Sequence, residues 1–205
     1  MRRQDRGRDD ELCDILMRTG CLKFGTFKLA NGTLSSYYID LRSIQSDPVA
    51  LKRVIFFYSS ILETSELKQV RRIAGVPTVG IAYGSILAFN LAKPFIYVRK
   101  ATKEPARGRR VEGILLPGDK VVVIDDVITT GKNIMEAADA IRSEGGLVED
   151  AVVLIDRQQR GMANLAKIDV RLHSFSTMQA IAGTLLRKGS IDDEQHREIV
   201  SQVLR

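Results

Sequence analysis

Two periodicities take turns along this chain. Unbroken apolar runs rich in β-branched residues, clearest at Val121 to Ile124 and Ala151 to Ile155, are too short and too branched for lone helices. They predict strands buried on both faces. Elsewhere apolar residues return every three or four positions: Leu12, Ile15 and Leu16 before Gly20, then Leu51, Ile55, Tyr58, Ile61 and Leu62 after Asp47-Pro48. Ile134, Ala137, Ala138 and Ile141 form a third stripe, closed by Gly145-Gly146. Each stripe predicts an amphipathic helix. The flanks agree, because Asp47 is a natural N-cap with proline at the first helical position, and glycine closes the other two.

Further strands are expected at Arg72 to Ala74, in PFIYVRK and in DVRLHSFS. Further helices are expected in GIAYGSILAFNLA, from Met178 to Leu186, and from Asp193 to Leu204. Near the N-terminus, CLKFGTFKLANGTLSSYYIDLR predicts a strand, a turn at Asn31-Gly32 and a second strand. Strands alternating with helices predict an α/β fold with a doubly wound, mostly parallel sheet.

Composition narrows the class. The chain has 205 residues, 44% of them hydrophobic, which suits one domain with a substantial core. No apolar run approaches membrane-spanning length, and MRRQDRGRDDE lacks a hydrophobic signal segment. Cys13 and Cys21 have no metal-ligand spacing and are expected to be small buried hydrophobes in a reducing, cytoplasmic setting. The net charge of +6 is concentrated. Between Lys93 and Arg110 stand seven basic residues against Glu104 alone, which leaves the rest of the chain balanced. No nucleic-acid motif and no interleaved aromatics accompany the patch, so a small polyanionic substrate is expected and nucleic acid is not.

The segment with most chemistry is VVVIDDVITTG, Val121 to Gly131. A buried strand ends in Asp125 and Asp126, and Thr129-Thr130-Gly131 opens the next helix. Ligands of parallel sheets sit at the carboxyl ends of strands. Free N–H groups at a helix start make a phosphate cup, whereas adjacent carboxylates repel phosphate and suit hydroxyls or a metal. A sugar diol carrying a phosphate matches both halves.

This stretch resembles the 5-phosphoribosyl 1-diphosphate (PRPP) signature of the type I phosphoribosyltransferases. FGTFKLANG…SSYYID, VRK…TK, IDDVITTG and DRQQRG occur in the order found in the orotate phosphoribosyltransferase family, over about Leu22 to Gly161. The resemblance implies a single domain over residues 1–205, with a hood over about 20–45 and a mobile flap over about 100–111. It implies a Mg²⁺-dependent homodimer that makes orotidine 5′-phosphate and pyrophosphate from orotate and PRPP. Each flap is expected to serve the neighbouring subunit's site. Asp125 and Asp126 would take the ribose hydroxyls and lie near any Mg²⁺ carried by PRPP. Val127, Ile128, Thr129, Thr130, Gly131, Lys132 and Asn133 would wrap the 5-phosphate. Arg99 and Lys100 would bind the diphosphate, with Lys103 as the flap lysine. Lys103 and Asp125 are the expected catalytic pair. Thr129 and Arg157 would contact orotate, and Pro77 and Thr78 would touch PRPP through backbone groups.

Two positions depart from the family: Ala30 and Pro105 stand where many members carry lysine and histidine. His173 and His196 fall outside every matched motif and are expected to be structural. Arg157 has a plain alternative, a surface pair with Asp156, and the hood aromatics, which could flank a planar base, have one in core packing. Two rival functions are a purine or uracil phosphoribosyltransferase and a PRPP- or nucleotide-sensing regulator without turnover. A base lacking a carboxylate would leave Arg157 unpaired. A regulator would be expected to add a DNA-binding segment, for which the residues before Gly20 are too few.

Overall fold

The computed structural model describes residues 3–28, 32, 34–64, 67–99 and 109–203. Helix α1 (Arg3–Arg18) precedes a two-stranded antiparallel ribbon, β1 (Leu22–Lys28) and β2 (Leu34–Ile39). A 3₁₀ turn, Leu41–Ser46, leads into α2 (Pro48–Leu62). The Asp47 side chain caps α2 as expected, accepting from the N–H groups of Val49 and Ala50 at 3.0 Å each. Next come β3 (Arg72–Gly75), α3 (Val79–Asn90), β4 (Phe95–Val98) and β5 (Val111–Glu112). The chain continues through β6 (Lys120–Ile128), α4 (Lys132–Ser143), β7 (Leu147–Asp156), α5 (Gly161–Ala166), β8 (Arg171–Thr177), α6 (Met178–Arg187) and α7 (Asp193–Val203).

Six strands form the main sheet in the order β5-β4-β3-β6-β7-β8, parallel except for β5. The expected doubly wound sheet is therefore present. Alternation along β6 explains its double burial. Val122 and Ile124 face a core built with α1, α2, α3, α6, α7 and the hood. Val121 and Val123 face the opposite core, filled by Ile134, Ala137 and Ile141 of α4. Each such buried Val or Ile contributes roughly 1.5–3 kcal/mol over exposure. Cys13 and Cys21 are buried, and burial, then the Asp9 charge, pushes the Cys13 thiol up to about 12. His173 Nε2 lies 2.8 Å from buried Asp150 Oδ1, toward the amino ends of β7 and β8.

Four elements differ from expectation. Strand β6 does not stop at the acidic pair but runs through it to Ile128, because β7 pairs with it that far, Asp125 with Val153 and Ile128 with Asp156. The ladder overrides the poor strand propensity of aspartate. Strand β5 has two residues, too few to show a period. Helix α5, GMANLA, is likewise too short for a stripe. Helix α1 begins earlier than the apolar pattern, in charged residues at its first turns. Lys100, Lys103 and Pro105, with Ala30 and Asn31, lie outside the described residues.

Among the described glycines, the one with least room for a side chain lies beside the acidic pair. At Gly80, in the first turn of α3, a Cβ would run into the Ile124 carbonyl and stand 3.1 Å from Asp125 Cα. Gly80→Ala is therefore expected to destabilise by about 1–3 kcal/mol, the cost typical of overpacking, and to lower the melting temperature by several degrees. Gly183 lies in α6, with nothing within 4 Å of the corresponding Cβ. Gly183→Ala should raise the melting temperature slightly through helix propensity. Thermal melts of both variants check the contrast; equal shifts would show that backbone proximity at Ile124 is unimportant.

Candidate active site

The carboxyl ends of β3, β6 and β7 converge. Gly75 pairs with Ile124, and the Val76 N–H donates to the Ile124 carbonyl at 3.0 Å. This carries Pro77 and Thr78 past the end of β3, alongside the level of the acidic pair, with a cis peptide between them. On the other side the Arg157 N–H donates to the Ile128 carbonyl at 3.0 Å, so Thr129 and Arg157 leave adjacent strands at the same level.

Asp125 is buried and Asp126 half-buried. Among the described residues neither carboxylate has an ion-pair partner. Their support comes from neighbouring backbone: Asp125 Oδ1 accepts from the Asp126 N–H at 3.0 Å, and Asp126 Oδ1 from the Val127 N–H at 2.8 Å. Tyr58, buried on α2, donates its hydroxyl to the Asp125 carbonyl at 2.7 Å. Burial, then the charge of Asp126, holds the Asp125 carboxyl well above the usual carboxylate range. Burial also raises Asp126, opposed by the Val127 N–H.

Behind the pair the chain turns through Thr129 and Thr130 to Gly131, whose φ of 81° is left-handed and favours glycine. Residues Asp125 and Val127 to Ile134 line a hollow of about 100 Å³. Asn164 of α5 braces the turn by donating to the Thr130 carbonyl at 3.0 Å. Lys132 is mainly exposed and lies 3.8 Å from Glu136. A more capacious hollow, about 690 Å³, lies by α5 and the amino ends of β7 and β8, far from the acidic pair.

Helix starts differ across the molecule. Asp47 and Thr177 cap α2 and α6 with their side chains. The starts of α3, α4 and α5, at Thr78, Gly131 and Arg160, carry no side-chain cap. All three follow the carboxyl ends of strands, as does the capped α6 after β8. The unsatisfied N–H groups of the three uncapped starts give that edge an affinity for anions.

Arg157 is not the surface partner of Asp156. Both are buried, and Asp156 Oδ1 instead accepts from the Gln158 N–H at 2.7 Å. The guanidinium lies 4.7 Å from the centroid of the Tyr37 ring, donates through Nε to the Tyr37 hydroxyl at 3.1 Å, and reaches Ser35 Oγ through Nη2 at 3.5 Å. Among the described residues it has no carboxylate partner. Gln158 and Arg160 adopt left-handed φ of 58° and 69°, strain that the Asp156 and Gln158 hydrogen bonds hold in place.

Arg99 sits at the end of β4, one strand beyond β3, so it lies roughly 10 Å from the β6 level by strand spacing. Its guanidinium is engaged by Glu112 at 3.2 Å and by the Arg109 carbonyl at 3.0 Å. Arg109 in turn meets Glu144 at 2.9 Å. The sequence singled out the hood only for its aromatics. Ser35, Tyr58 and the brace from Asn164 gave no signal there, since their partners lie tens of positions away or more.

Comparisons with known proteins agree with this geometry. The phosphoribosyl transferase domain family matches residues 40–182. Orotate phosphoribosyltransferase of Pyrobaculum islandicum is 44% identical over 191 residues, 93% of this chain and 96% of that protein. The protein of the same name from Caenorhabditis elegans is 32% identical over 197 residues, 96% of this chain and 86% of that protein. The crystal structure of orotate phosphoribosyltransferase from Aeropyrum pernix superposes with a TM-score of 0.80 at 33% identity, covering 88% of this chain and 99% of that one. UMP synthase of Leishmania donovani gives a TM-score of 0.86 at 29% identity, over 97% of this chain and 42% of that chain. The chain belongs to the phosphoribosyl transferase family, within its orotate phosphoribosyltransferases.

Proposed function

We propose that this protein transfers the 5-phosphoribosyl group of PRPP to orotate, giving orotidine 5′-phosphate and pyrophosphate for pyrimidine synthesis. The observation that carries the choice of base is Arg157: a buried guanidinium with no carboxylate partner among the described residues, one residue past β7 and level with Thr129. A guanidinium matches a carboxylate in bidentate fashion, and orotate supplies one where uracil and purines do not.

In this reading the uncapped start of α4 and the Thr129–Gly131 turn receive the 5-phosphate, while Asp125 and Asp126 accept from the ribose hydroxyls. A ring nitrogen of orotate forms a bond to the anomeric carbon as the bond to the diphosphate oxygen breaks, and the proton that nitrogen carried passes to the departing diphosphate. Asp125 and Asp126 face the positive charge that develops on the ribosyl carbon. Arg99, Lys100 and Lys103 offset the negative charge of the departing diphosphate. Reaching it would require Arg99 to leave Glu112, an exchange of one exposed ion pair for a stronger anion.

Among the described residues no group of three or more His, Cys, Asp or Glu could hold a metal unaided. Two adjacent carboxylates do suit Mg²⁺ that arrives on substrate phosphates and keeps most of its waters. When bound it would shield the diphosphate charge. The free buried thiols of Cys13 and Cys21 suit the cytoplasm. Among the described residues no helix is long and apolar enough to cross a membrane.

Purified protein with PRPP and Mg²⁺, offered orotate, uracil and purines in parallel, is expected to release pyrophosphate with orotate only; release with another base would overturn the assignment. Arg157→Ala should cost roughly 2–5 kcal/mol in orotate use and far less in PRPP use. Equal losses for both substrates would make Arg157 structural.

Asp125→Asn is expected to abolish most PRPP use while raising thermal stability. The sign follows from the raised carboxyl: well below its ordinary value of 3.8 the group is protonated folded or unfolded, and burying it costs little. Above that the unfolded chain releases the proton readily and the folded one reluctantly, so wild-type stability falls. The amide removes this penalty. Its melting temperature should exceed the wild type by roughly 2–4 °C for each kcal/mol relieved, with a larger gain at pH 8 than at pH 4.5. A pH-independent difference would show that the carboxyl is not strained by burial.

Lys103 is proposed to serve the partner's site. Lys103→Ala and Asp125→Asn, each nearly inactive alone, should recover roughly a quarter of wild-type activity when unfolded, mixed and refolded, since about half the dimers are mixed and carry one sound site. Mixed dimers confirmed by mass but lacking activity would place Lys103 in its own subunit's site.

A further inference from the structure

Helix α7 is held to the fold by Ile199 and Val203, both buried. Gln202 reaches away from those contacts to two other elements. Its Oε1 lies 3.0 Å from Ser35 Oγ, and its Nε2 donates to Ser36 Oγ at 3.1 Å, both on β2. Its backbone carbonyl accepts from Gln159 Nε2 at 3.3 Å. One residue of α7 therefore ties the hood to the loop that carries Arg157.

The Ser35 hydroxyl is the link to the guanidinium. Ser35 is 2% exposed, so its hydrogen bonds are internal. It has one hydrogen, and two acceptors compete for it: the Tyr37 carbonyl at 2.7 Å and Gln202 Oε1 at 3.0 Å. The lone pairs are left to the donors, Arg157 Nη2 at 3.5 Å and the Tyr37 N–H at 3.4 Å. Arg157 is held in place by the Tyr37 ring face and hydroxyl on one side and by this oxygen on another. Without Gln202 the hydroxyl keeps only the Tyr37 carbonyl as acceptor, and β2 loses these side-chain hydrogen bonds to α7.

We propose that Gln202 is a positioning residue for the acceptor-base site: its side-chain amide orients Ser35, Ser35 restrains the Arg157 guanidinium, and α7 thereby tunes selection for a base that carries a carboxylate. This rests on the reading that Arg157 faces the orotate carboxylate. Gln202 itself touches no substrate.

The test measures both Michaelis constants and kcat for the wild type, Gln202→Ala, Ser35→Ala and the double variant. A wild type that does not use orotate would remove the functional reading on which the inference stands. Given an active wild type, Gln202→Ala should raise the orotate KM roughly three- to tenfold, the size expected for loss of one or two hydrogen bonds, with the PRPP KM and kcat within about twofold. An unchanged orotate KM, or both constants rising together, would overturn the proposal while leaving orotate transfer intact. If Gln202 acts through Ser35, the double variant should be no worse for orotate than Ser35→Ala alone. Multiplied effects would mean that Gln202 acts by another route. Should Gln202→Ala melt below the assay temperature, Gln202→Met keeps the bulk without the amide, and the same split between substrates is required of it.

Discussion

Everything at the carboxyl edge of the sheet is arranged around two consecutive carboxylates that have no cation to balance them among the described residues. Peptide N–H groups stabilise Asp125 and Asp126 from within their own strand, and the Tyr58 hydroxyl holds the peptide that carries them. Nothing fully compensates the burial, and the raised protonation of both groups expresses the remainder. Such a site is costly to the empty protein and favourable to a ligand that brings hydroxyl donors and developing positive charge. Its precision depends on how closely α3 lies against β6, where Gly80 leaves no room for a side chain at the Ile124 carbonyl.

The fold was readable where burial imposed a period. Strands β6 and β7 and helix α4 announced themselves because both faces of the strands and one face of the helix are packed. Strand β5 and helix α5 were silent, the one for want of residues and the other for want of turns. The full length of β6 was obscured for a different reason. Aspartate argues against a strand locally, yet the ladder to β7 carries the pairing through both acids.

The site divides along the same line. The acidic pair and phosphate turn are contiguous, so chain order alone displayed them. Arg157 was visible as a residue, but its environment was not: Tyr37 and Ser35 stand 120 and 122 positions away. Sequence left a surface pair with Asp156 as the plain alternative, and burial of both side chains removes it. Arg99 shows the converse. The chain places it at the right edge, while Glu112 and the Arg109 carbonyl hold its guanidinium.

The unequal treatment of helix starts has a consequence for how the protein uses its substrate. Aspartate and threonine finish α2 and α6 from within the chain, so those helices are complete at all times. Helices α3 and α4 begin without such a partner at the edge where a phosphorylated sugar is proposed to sit. An anion arriving there would supply the missing cap, and part of its affinity would be secondary-structure energy withheld during folding. Occupancy would then tighten the first turns of both helices and, through Gly80, the strand between them. In that sense the substrate acts as the last residue of the fold.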